Sequence, residues 1–139
     1  MSRLVPMALV ITVIAMTAIW FSGRPSMQAG LGSQGAMVEV TVPELTAIAE
    51  MGQQIFDENC AVCHGAHAAG NDGSGPPLVH IIYEPNHHAD PAFYLAARNG
   101  VRQHHWKFGD MAPVPGVTEA DVTAIIAYVR ELQRANGIH

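Results

Sequence analysis

The sequence predicts an all-α protein, a small domain of three to five helices preceded by a transmembrane helix at the N-terminus. Three observations predict it. Residues 4–21 form an uncharged, mostly apolar run of 18 residues. Beyond residue 38, apolar side chains recur at helical intervals, in stretches separated by clusters of Gly and Pro. Neither a convincing strand pair nor an internal repeat is present.

Taken in order, residues 4–21 would span roughly 27 Å as a helix at about 1.5 Å per residue, close to the ~30 Å core of a bilayer. A secretory signal usually has a shorter apolar region and a small-residue cleavage site, and no convincing A-x-A site follows here. Residues 1–21 therefore read as a membrane anchor, with a cleaved signal as the alternative. Arg3 and the chain's amino group favour a cytoplasmic N-terminus, against which Arg24 on the far flank counts. Residues 22–37, rich in Gly, Ser and Gln, read as a flexible linker.

Residues 38–139 form the body. All 12 acidic residues lie there, from Glu39 onward, whereas two of the seven basic ones, Arg3 and Arg24, flank the apolar run. An acidic body lacks the cations that would neutralise phosphates, which excludes a nucleic-acid binder. Val38, Val40 and Val42 alternate with Glu39 and Thr41 as a short extended entry. Thr41 and Glu44 have capping-box spacing, Pro43 suits a first turn, and Leu45, Ile48, Ala49, Gly52, Ile55 and Phe56 share a face, which predicts a helix ending just before Cys60. Residues 65–86 hold three Gly and three Pro beyond the first glycine and read as loop. Asp90-Pro91 is an N-cap and first-turn pair and Asn99-Gly100 a stop, giving a short helix through Phe93, Tyr94 and Ala96. Thr118 with Asp121 opens a last helix whose face carries Val122, Ile125, Ile126, Val129 and Leu132, and Asn136-Gly137 closes it.

The chemistry is concentrated in Cys60-Ala61-Val62-Cys63-His64, a C-x-x-C-H motif, the signature of c-type haem attachment. Two thiols one helical turn apart reach the two vinyl groups on one porphyrin edge, and the next residue brings an imidazole under the iron. The rival readings are weaker. A thioredoxin-like redox pair wants a βαβ context, and a zinc site needs further ligands beyond His64 and His67. For the sixth iron position, Met111 is the only methionine after the motif, in a proline-rich loop that limits backbone freedom. His104 and His105 are the alternatives, which would give a lower potential than Met/His ligation.

From about Pro43 to Leu132 the chain resembles the class I cytochrome c family, with the haem motif early and a Met ligand late. Gly52 and Phe56 stand at the spacing that family uses to cross its first helix over its last, where Ile125 and Tyr128 would be the partners. Gly75-Pro76-Pro77-Leu78 is similar to the family's Gly-Pro-x-Leu segment, which implies that the Pro76 carbonyl orients His64. Trp106 looks like the aromatic whose ring nitrogen meets a haem propionate, with core packing as the equal alternative. Of Arg98, Arg102 and Lys107, Arg102 is the strongest candidate for pairing with a propionate. The acidic body departs from the lysine-rich mitochondrial members, so partners are not borrowed from them. His67, His80, His87 and His88 read as loop and surface residues, because their spacing matches no compact ligand set.

The resemblance thus implies one covalently attached haem c with its iron between His64 and Met111. It implies electron transfer without enzymatic activity, as a carrier or relay subunit of a membrane oxidoreductase. Redox proteins would be its partners, and the domain would sit on the periplasmic side of the cytoplasmic membrane. The rival function is a haem-based sensor in which Met111 gives way to a small molecule.

Overall fold

A computed structural model describes residues 35–139. The anchor expected at residues 4–21 and most of the linker lie outside the described residues. Among those described, no helix is long and apolar enough to cross a membrane.

Among the described residues four α-helices follow in order: α1 Ala47–Asn59, α2 Ala61–His64, α3 Asp90–Asn99 and α4 Glu119–Ala135. Single 3-10 turns occupy Ala66–Ala68 and Ile81–Tyr83, and the described residues hold no strand beyond two isolated bridges. The all-helical expectation therefore holds for the body.

The core is the crossing of α1 over α4. Phe56 and Tyr128 are fully buried with ring centroids 5.6 Å apart and planes tilted by 60°, an edge-to-face arrangement that aromatic pairs favour. Gly52 lies where the helices touch, and a Cβ there would collide with the Ala124 carbonyl. The glycine is required by backbone proximity, as the resemblance to the class I cytochrome c family implies. Val129, Leu132 and Ala49 complete the contact, whereas Ile48, expected on this face, is 48% exposed.

Helix α1 begins later than its sequence suggests. The Thr41–Glu44 capping box does not form, because Thr41 is engaged elsewhere. Its backbone N–H donates to Asn136 Oδ1 and its carbonyl accepts from Asn136 Nδ2, both at 2.9 Å. The helix instead follows Thr46, whose N–H and hydroxyl donate to the two Glu131 carboxylate oxygens at 3.1 and 2.6 Å. Both anchors tie the entry segment to the end of α4. Helix α3 shifts by one residue for a similar reason: Ala89 is the N-cap, since the Asp90 carboxylate accepts from Arg130 Nε at 2.9 Å.

The capping box of α4 forms as read from the sequence. Asp121 N–H donates to Thr118 Oγ1, and the Asp121 carboxylate accepts from Thr118 N–H and Oγ1–H. These hydrogen bonds hold the Asp121 carboxyl below its ordinary pKa. A depressed carboxyl pKa stabilises the fold above the unfolded-state value, and the contribution is lost as pH falls through the folded one. Thr118→Ala should therefore destabilise the domain by about 1 kcal/mol at neutral pH, as N-cap losses do. In urea titrations that difference should shrink as pH falls through the lowered Asp121 pKa, once the carboxyl is protonated in both proteins.

Candidate functional site

The motif residues sit where α1 hands over to α2. Cys60 caps α1, and its carbonyl accepts from Cys63 N–H at 3.1 Å and His64 N–H at 2.9 Å, so one helical turn presents both thiols and the imidazole. Cys60 is half-buried; burial, and secondarily the neighbouring Cys63, push its thiol up to about 11. Cys63 is exposed.

The loop after α2 passes directly over this turn. Gly75 packs on the Cys63 carbonyl so closely that no side chain fits. Pro76 then places its carbonyl 2.9 Å from His64 Nδ1. Since a carbonyl only accepts, Nδ1 carries the proton and the lone pair of the neutral ring lies on Nε2, the arrangement typical of a metal-bound histidine. Burial lowers the His64 pKa, partly opposed by the Pro76 hydrogen bond, so the ring is neutral at pH 7.

His64 and Cys60 open onto a cavity of about 380 Å³. Its walls are mainly apolar, with Phe56, Leu78, Phe93, Val101, Val122 and Ile125 among them. Met111 lines the same cavity. Its backbone is fixed by a reciprocal pair of hydrogen bonds with Val101, N–H to carbonyl at 2.9 and 3.0 Å. The proline-rich segment 109–117 is therefore pinned at the residue on which ligation would depend.

The other sequence candidates divide. Trp106 lines the cavity, and its Nε1 is buried without a hydrogen-bond partner. An orphaned buried donor costs about 1–3 kcal/mol, a cost that an anionic acceptor in the cavity would remove. Arg102 is exposed and off the wall, although Val101 and Gln103 on either side of it are on the wall. His104 and His105 are on the wall as well.

Two features escaped the sequence reading. Arg130 is buried in α4 and holds the segment before α3: its guanidinium donates to Tyr83 O, His88 O and Gln133 Oε1 at 2.8, 2.6 and 2.6 Å. His87 and His88, read as loop and surface residues, lie in the turn before α3 and there meet His104 and His105. Neither spacing nor periodicity signals these contacts, which join residues far apart in sequence.

An apolar cavity lined by Cys60 and a preset imidazole, with Cys63 on the same helical turn, defines a small helical domain suited to a covalently attached haem. The cytochrome c family model matches residues 49–133, and the chain belongs to that family. Haem c is that family's cofactor, and the donor set, apolar walls and orphaned Trp106 donor all fit it.

Among curated relatives, the chain is similar to a cytochrome bc1 complex cytochrome c subunit of Mycobacterium bovis, 32% identical over 72% of this chain and 32% of the relative. A cbb3-type cytochrome c oxidase subunit CcoP of Rhodobacter capsulatus is 30% identical over 65% of this chain and 31% of the relative. A cytochrome c oxidase subunit 2 of Alkalihalophilus pseudofirmus is 31% identical over 72% and 30%. The chain thus spans about a third of the length of the curated relatives it matches. No solved structure matches it significantly.

Proposed function

We propose that this protein transfers electrons through one haem c, bound by thioethers from Cys60 and Cys63 and ligated by His64 and Met111. The observation that carries the reading is a neutral imidazole, oriented by Pro76, lining the same cavity as a backbone-pinned methionine. The haem iron would supply one-electron redox chemistry with no substrate bond made or broken, so the chain is not itself an enzyme.

The chain's own residues do the rest. Pro76 fixes the tautomer and plane of His64. The Val101 pair holds the Met111 backbone in place, which would limit reorganisation when a bound haem changes oxidation state. Trp106 Nε1 would donate to a propionate. The apolar walls exclude water and, with a thioether ligand, favour a higher potential than two imidazoles would give.

Residues 4–21 would hold the domain at the outer face of the cytoplasmic membrane, where partners are redox proteins or a membrane oxidoreductase. The relatives named as subunits of bc1 and oxidase complexes support a role beside such machinery.

Met111→Ala tests the ligand set. The reduced wild type should keep its visible spectrum under carbon monoxide, whereas the reduced variant should take up carbon monoxide fully. Rapid uptake by the wild type would overturn the carrier reading in favour of a small-molecule binder. A variant with an unchanged spectrum would remove Met111 from the iron and move the assignment to His104 or His105.

A further inference from the structure

Four histidines converge at the edge of the cavity from two segments well apart in the chain. His87 and His88 end the turn before α3, and His104 and His105 lie in the loop after it. His87 Nε2 and His105 Nε2 are 3.3 Å apart. One ring nitrogen each from His87, His88 and His105 lies within 4.8 Å of the others. His88 and His105 also line the cavity, while His87 and His105 are open to solvent.

The tautomers suit ligation. His88 Nδ1–H donates to the Ile82 carbonyl at 2.7 Å, and His104 Nδ1–H to the Arg102 carbonyl at 2.9 Å, which leaves both Nε2 lone pairs bare. A ring nitrogen bonded to a carbonyl while the other faces its neighbours is the usual outer support of a metal-bound histidine. His104 packs 4.4 Å from His105 and 5.8 Å from His88, centroid to centroid.

A hydrogen bond between His87 and His105 would account for one contact of the cluster and no more. At zinc–nitrogen distances of about 2.0–2.1 Å, tetrahedral geometry puts neighbouring nitrogens about 3.3 Å apart, the separation of the His87 and His105 pair. The remaining spread closes by small rotations of exposed side chains. An all-imidazole donor set suits zinc, copper or nickel, and lacks the oxygens that magnesium and calcium require.

We propose that His87, His88 and His105 form a binding site for a divalent transition-metal ion of the zinc class, with water or His104 in the fourth position. The inference rests on the reading that Met111 takes the iron, which leaves these imidazoles free.

The test titrates zinc sulfate into the full chain with haem attached, in competition with a chromophoric chelator. One equivalent should bind. His87→Gln and His105→Gln should each weaken binding at least tenfold, and His139→Gln, at the exposed C-terminus, should leave it unchanged. The visible haem spectrum reports folding of each variant. Absence of binding by the wild type, or wild-type affinity in either of the His87→Gln and His105→Gln variants, overturns the proposal. Copper(II) serves as a second probe on the wild type alone: imidazole-nitrogen hyperfine structure in its electron paramagnetic resonance spectrum is expected, and oxygen-only ligation contradicts the site. The near-infrared sulfur–iron band on the same oxidised samples separates the two readings. Its presence without zinc binding sinks the metal site alone, whereas its absence from the wild type sinks the Met111 assignment.

Discussion

Arg130→Met should destabilise the domain by about 3 kcal/mol, with most of the loss arising from acceptors left without donors rather than from a broken ion pair. The Arg130 side chain is 8% exposed but its partner Asp90 is 56% exposed, so the pair itself is solvent-screened and worth little. The costly loss is elsewhere. Methionine would fill much of the volume but leave Gln133 Oε1 and the His88 carbonyl without the Arg130 donor, whereas the Tyr83 carbonyl would keep its bond from Gln133 Nε2 at 2.9 Å. Buried unsatisfied acceptors cost about 1–3 kcal/mol each. Asp90→Asn is the contrast, since Arg130 keeps three acceptors and an amide oxygen still accepts; its loss should stay below about 1 kcal/mol. Denaturant unfolding of both variants decides the point, and equal losses would show that the ion pair matters more than the carbonyls.

The second large effect is at the helix crossing, where two physical terms oppose one another. Gly52→Ala raises helix propensity by about 1 kcal/mol, which by itself would stabilise α1. The new Cβ, however, would overlap the Ala124 carbonyl, with Ile125 N only 3.0 Å away. Backbone atoms of a packed helix cannot rotate aside as a side chain can. The helices would have to separate and loosen the Phe56–Tyr128 contact, and overpacking of this kind costs about 1–3 kcal/mol beyond any local gain. A net destabilisation of about 2 kcal/mol is expected in urea unfolding. A more stable Gly52→Ala protein would mean that the helices are not in backbone contact there.

Local signals were read reliably where the chain acts on its neighbours. The turn from Cys60 to His64, the α4 capping box at Thr118 and Asp121, and the Asn99-Gly100 stop each depend on residues a few positions apart. The Gly52–Phe56 crossing was legible only through family resemblance, because nothing in its own spacing names α4 as the partner.

The misread elements share one cause. Thr41 looks like a cap until Asn136, 95 residues away, claims its backbone. Asp90 looks like a cap until Arg130, 40 residues away, claims its carboxylate. The histidine cluster likewise needs the loop after α3 to fold back on the turn before it, a tertiary event with no periodicity. Arg130 carried no sequence signal beyond an ordinary helical charge. Its role becomes visible only when the Tyr83 and His88 carbonyls, brought against α4 by the fold, are found to need donors.

The central claim is that His64 and Met111 hold one redox-active haem iron. The absorption spectrum of the purified, oxidised full chain tests it most directly. The account predicts a visible c-type haem spectrum together with a near-infrared band from sulfur–iron ligation, lost in Met111→Ala. A haem spectrum without that band in the wild type would contradict it.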